Sequence, residues 1–173
     1  MTKEKLSKID VACRQLDTAI TLWFQERDPV PIHTLACSAH QIISDITHHR
    51  GGHELLFDST YIKDQFQNLA KRHFHKHYNF FKHADHDPDA SSEFNTSANE
   101  YFIGYSILGL EPLGIKHNLL RSAFMIYFAI HHSNLLTEEG FKFFIHNIPP
   151  EQFAEIRKLT KQQFFENYSL LTR

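Results

Sequence analysis

The chain has 173 residues, a formal charge of −2 with its histidines neutral, and 42% hydrophobic residues, sixteen phenylalanines among them. That is enough for one core in a single domain spanning 1–173, and six glycines and six prolines are too few for a β-sandwich or barrel. No overall basic excess demands nucleic acid, no apolar run approaches the ~20 residues that cross a bilayer, and Cys13 and Cys37 lack the CxxC spacing of a zinc finger or a disulfide framework.

The opening MTKEKLSKID carries charge but no apolar h-region, so a reduced, cytoplasmic setting with no membrane association is the expectation. Helical periodicity then starts at once. Ile9, Cys13, Leu16, Ile20 and Trp23 recur at four and three, which predicts a first helix over 3–27. Asp28-Pro29-Val30-Pro31 ends it and opens a second over 32–49, with Ile32, Leu35, Ala36, Ala39, Ile43 and Ile46 turned inward and Gly51-Gly52 as the stop. That second helix also aligns His33, Cys37 and His40. Their spacing suits metal ligands, but one helix seldom completes a tetrahedral site, so they are read as a histidine-rich polar outer face.

After a connection at 53–60, residues 61–84 form a third helix. Ile62, Phe66, Leu69, Phe74, Phe80 and Phe81 make its apolar stripe, with His73 and His77 embedded in it. Arg72, Lys76, Asn79 and His83 make a second stripe at spacings of four, three and four, a line of donors suited to an anion. The embedded histidines are read as neutral core residues bonded to a carbonyl, hydroxyl or carboxylate on a neighbouring element. The alternative is metal ligation, by His73 and His77 with His117 or His131, or by His33, Cys37 and His40.

Asp87-Pro88 predicts a cap and a short helix, and a fourth helix follows over 97–110. The fifth, over 113–135, is the most apolar and is expected at the centre. Its Arg121 is costly to bury alone and should meet a carboxylate or face a cleft. Thr137 caps a sixth helix, and Pro149-Pro150 opens a last one carrying Phe153, Ile156, Phe164 and Tyr168. The fold class is therefore all-α, a single-domain bundle of six to seven helices with up-and-down character.

Most catalytic constellations fail on counts. There is no Glu-x-x-His for a di-metal bundle, no HExxH, no P-loop and no GxGxxG, and no cofactor is called for. What remains is Arg72-His73-Phe74-His75-Lys76-His77, an Arg-x4-His with a polar residue after the arginine, followed by Asn79-Phe80-Phe81-Lys82-His83-Ala84. These segments resemble the HEPN domains (higher eukaryotes and prokaryotes nucleotide-binding). That resemblance implies an all-α, often dimeric bundle, of a group in which many members cleave RNA without metal or bind nucleotides. It further implies that Arg72 holds a phosphate and His77 performs acid–base chemistry on a ribose 2′-hydroxyl, with Lys76, Asn79 and His83 as anion contacts. RNA or a nucleotide, and a homodimer or protein partner, are the partners so expected. The alternatives are a non-enzymatic interaction or regulatory bundle and a histidine-based metal-binding bundle. A pH switch is a further expectation, since protonating all fourteen histidines would add fourteen positive charges near pH 6.

Overall fold

The computed structural model of the chain describes residues 3–52, 63, 65, 77, 79–85, 87–146 and 148–171. Among these residues it is all-helical, with no sheet: α1 Lys8–Phe24, α2 Pro29–His49, α3 Ala98–Leu110, α4 Leu119–His131, α5 Glu138–Ile145, α6 Phe153–Ile156 and α7 Lys161–Leu171, with a 3-10 turn at Pro150–Gln152 before α6.

Local chemistry sets the boundaries. Ser7 and Asp10 form a reciprocal capping box, so α1 starts at Lys8 rather than near residue 3. Asp28 accepts from Val30 N and starts α2 with Pro29 in its first turn. The two helices end alike. At the end of α2, Gly51 N–H bonds to His48 O and Gly52 N–H to Thr47 O, with Gly51 at φ 79°. At the end of α1, Glu26 N–H bonds to Trp23 O and Arg27 N–H to Leu22 O, with Glu26 at φ 53°. Both are Schellman closures, which need a left-handed residue just past the helix, and only α2 supplies glycine there.

α1 packs along α2 and α2 along α3, while α4 crosses α1 and α3 and α7 braces α1 and α4. The expectation places 113–135 at the centre. α3 holds that position at least as firmly, being buried on nearly every side from Ala98 to Leu110. Gly104, Ser106 and Gly109 are among its buried residues, and a methyl at Gly104 would make only an ordinary contact, 3.9 Å from the Phe124 ring. Residues 113–118 are not helical: α4 begins only at Leu119, where Asn118 caps it by accepting from Arg121 N. The last predicted helix is also divided, because Thr160 and Gln163 form a second reciprocal capping box that starts α7 afresh. Residues 88–90 form a turn, not the short helix expected after Asp87.

An aromatic block fixes one end of the bundle. Trp23 meets Phe24, Phe124 and Tyr127 edge-on at 5.0, 4.8 and 5.1 Å, and Phe24 stacks on Phe165 at 4.6 Å. Arg121 meets the carboxylate expected for it: Nε and Nη2 donate to the two oxygens of Asp17 on α1. No helix among the described residues is long and apolar enough to cross a membrane.

Candidate functional site

Rigid helix α2 presents His33, Cys37 and His40 on one face, at spacings of four and three. That face looks into the core: His33 is 1% exposed, Cys37 2% and His40 7%. The reading of these three as a polar outer face is therefore corrected. The first turn of α3 brings Asn99, 1% exposed, against them.

These groups form a directed hydrogen-bond chain. Asn99 Nδ2 donates to Pro29 O at 2.9 Å, so its Oδ1 faces His33 and accepts from Nδ1 at 2.7 Å. Nδ1 of His33 therefore carries the proton, and Nε2 is left to accept from the Cys37 thiol at 3.3 Å. Cys, His and Asn in this order also describe a nucleophilic triad. Burial argues against that chemistry here. It drives the Cys37 thiol far above its ordinary value, against the opposing charge of Lys82. It also pulls His33 below its own, which the nearby His77 reinforces and the Asn99 bond only partly offsets. Both groups are neutral, and a thiol without thiolate character and without access is no nucleophile.

His77, on helical backbone, faces His33 with ring centroids 6.3 Å apart. It is 6% exposed, and its Nε2 donates to Glu93 O at 2.7 Å and approaches Ser92 Oγ at 3.2 Å. Phe81 and Phe94 close over both imidazoles, and Phe102 lies beneath His33 at 5.2 Å. His77 thus has the surroundings of a core histidine bonded to a neighbouring carbonyl.

Outside this nest lies an open groove of about 850 Å³. Asn79, Phe80 and His83 form one wall, Ala90, Ser91, Ser92 and Glu93 the other, with Asp85 and Asp87 completing the lining. Asn79 and His83 are exposed, as the polar stripe requires, and the structure brings them to one groove. His77 lies behind the Ser92–Glu93 wall and does not line that groove. Arg72 and Lys76, and His73 of the metal alternative, lie outside the described residues. The groove carries three carboxylates against one imidazole.

Among the described residues no group of three or more His, Cys, Asp or Glu is placed to hold a metal ion. His131 donates Nδ1–H to Tyr127 O at 2.9 Å while stacking on that ring, and burial pulls His117 below its ordinary value.

A second polar cluster joins α3, α4 and α7, and nothing in the sequence reading singled it out. His132 Nε2 donates to Glu100 Oε2 at 2.6 Å, Lys161 Nζ lies 3.4 Å from Oε1, and the same ammonium sits 4.1 Å over the Trp23 ring. Burial raises the Glu100 carboxyl, but the His132 bond and the Lys161 charge outweigh it and hold the group below its ordinary value. No family model, curated protein or solved structure matches this chain.

Proposed function

We propose that this chain is a non-catalytic binding bundle whose recognition surface is the groove between residues 79–83 and the 87–93 segment. The observation that carries this reading is the composition of the groove: Asp85, Asp87 and Glu93 with the hydroxyls of Ser91 and Ser92. Acceptors in that number suit a partner segment bearing N–H donors and positive charge, such as an arginine- or lysine-containing peptide. The commitment of His77 to Glu93 O also supports binding over turnover, since a general acid or base must reach its substrate. The test is fluorescence anisotropy with a labelled arginine-containing peptide. Binding that weakens with salt and disappears in Asp87→Asn/Glu93→Gln supports the reading; no binding by the wild type removes it.

The second reading is a HEPN-like bundle that binds or cleaves RNA through Arg72, Lys76, His77, Asn79 and His83. It is favoured by the convergence of Asn79 and His83 on one groove with His77 directly behind its wall. Labelled RNA incubated with the wild type, Arg72→Ala and His83→Ala separates the two. Cleavage or binding lost in both variants supports RNA, while a wild type that does neither eliminates it. Size-exclusion chromatography with light scattering reads the dimer that this resemblance implies.

A further inference from the structure

The buried histidine pair has a property independent of what the groove binds. We propose that His33 and His77 form a proton-operated latch: proton uptake on His33 releases residues 79–83 and the 91–95 segment from α2 and uncovers Cys37.

The neutral state is fully specified. Pro29 O, Asn99, His33 and Cys37 make a chain in which every donor has its acceptor, and the orientation of Asn99 fixes the tautomer. A second proton on His33 can go only to Nε2, where it points at a thiol that is itself a donor. The Cys37–His33 bond then loses its acceptor, and sulfur offers only a weak lone pair in exchange.

Among the described residues, none that surrounds His33 gives the new charge a counter-ion. On α2 it faces Cys37 and His40, and on α3 Asn99 and Phe102. Beyond α2 and α3 it meets His77, Phe81 and, near Cys37, Lys82. The 91–95 segment offers Ser92, the Glu93 backbone carbonyl and Phe94, and Glu93 is itself an exposed residue that lines the outer groove. α1 buries only apolar residues in the core. A buried cation without a partner is relieved by hydration, which requires the cover to move.

That cover is held chiefly by the rings themselves. His33 meets Phe94 at 4.8 Å and Phe81 at 5.3 Å, and His77 meets Phe94 at 5.3 Å and binds Glu93 O. Asn79 and His83 on the first segment and Glu93 on the second are exposed. Loosening the ring nest therefore frees the segments, and the groove between them goes with it.

Cys37 is the reporter, in a Cys13→Ala background. Its reaction with dithiodipyridine is compared at each pH with that of a free cysteine peptide, while far-UV circular dichroism follows the helices. The relative rate should rise about tenfold or more from about pH 7.5 to about pH 5 with helical signal unchanged. His33→Gln, which keeps a donor for Asn99 and an acceptor for Cys37 but cannot titrate, should abolish the rise. Asn99→Asp places a carboxylate on Nδ1–H, gives the imidazolium the counter-ion it lacks in the closed state and should suppress the rise; this arm decides the matter if His33→Gln does not fold. A flat wild-type profile, an equal rise in His33→Gln, a rise only with loss of helix, or an undiminished rise in Asn99→Asp each overturns the latch.

Discussion

Arg121 and Asp17 hold each other in a two-pronged pair, Nε to Oδ1 at 2.7 Å and Nη2 to Oδ2 at 3.0 Å. Asn118, the cap of α4, adds a third donor to Asp17 at 3.0 Å, so a single carboxylate on α1 receives both the start of α4 and its arginine. Arg121 keeps only 5% of its side chain in water and Asp17 32%. Removing the carboxylate strands a buried guanidinium, whereas removing both charges does not. Asp17→Ala should cost roughly 2–3 kcal/mol, below the figure for a fully buried pair because Asp17 is partly solvated. Asp17→Leu/Arg121→Met should cost less than the sum of its two single changes. Urea denaturation of the four proteins in this cycle measures it, and strict additivity would show that the pair is not coupled.

Asn99 joins α3 to α2 through two bonds, one to Pro29 O and one to His33 Nδ1. Asn99→Ala leaves a buried N–H on His33 without its acceptor and the Pro29 carbonyl without its donor. We expect a loss of about 1–3 kcal/mol, the ordinary cost of an unsatisfied buried polar group. Asn99→Asp keeps the acceptor for His33 and should lose less at pH 6 than at pH 8. Thermal unfolding at both values checks the pair of expectations, and an Asn99→Ala protein as stable as wild type would mean that water replaces both bonds.

How far the sequence discloses these features depends on whether the signal is local. Element type is local: the apolar spacing of α1 and α2 and the Thr137 cap of α5 all read directly. The capping pairs Ser7/Asp10 and Thr160/Gln163 are equally legible, yet reading through them lengthened α1 and fused α6 with α7. Arg121 announces its need for a carboxylate by its place on an apolar helix, but its partner lies 104 positions away and cannot be named from spacing. Asn99 gives no signal at all, since an asparagine in a first turn looks like a solvated residue. The inward turn of His33, Cys37 and His40 is hidden for a related reason: a polar triplet at helical spacing faces inward only when another element completes its hydrogen bonds, here α3. The Glu100–His132–Lys161 cluster joins three helices and is invisible to periodicity for the same cause.

The parallel ends of α1 and α2 yield a stabilising substitution. Glu26 occupies the left-handed position that glycine fills in α2, at φ 53° against 79° for Gly51. A side chain at such a position is strained, and the Schellman bonds around Glu26 show that the geometry is imposed by the helix end. Glu26→Gly should raise stability by about 0.5–1 kcal/mol, the relief of strain exceeding the added freedom of the unfolded chain. The mirror change, Gly51→Ala, should destabilise. Gly52→Ala should do so as well, because a methyl there would lie 2.7 Å from Thr47 Cγ2. Urea midpoints rank the three, and a Glu26→Gly protein less stable than wild type would point to a contact of the Glu26 side chain that outweighs the strain.

Acid should destabilise the fold well before its carboxylates titrate. Burial pulls His33, His117 and His131 below the ordinary histidine value of 6.5. In the unfolded chain these imidazoles take up protons near 6.5, while in the folded chain they do so only at lower pH. Between those limits the unfolded state binds more protons, so stability rises with pH there and is lost as pH falls. Glu100 acts in a lower window. Its folded value is depressed from 4.5, so its contribution is present above that value and is lost as pH falls toward the folded one. The urea midpoint should therefore hold from about pH 8 to about pH 7, begin to fall as pH drops through about 6.5, and fall further below about 4.5. His33→Gln should flatten part of the first fall and leave the second unchanged. A midpoint that climbs on acidification through 6.5 would mean that the carboxylates near two of them, Glu111 for His117 and Glu100 for His131, outweigh burial.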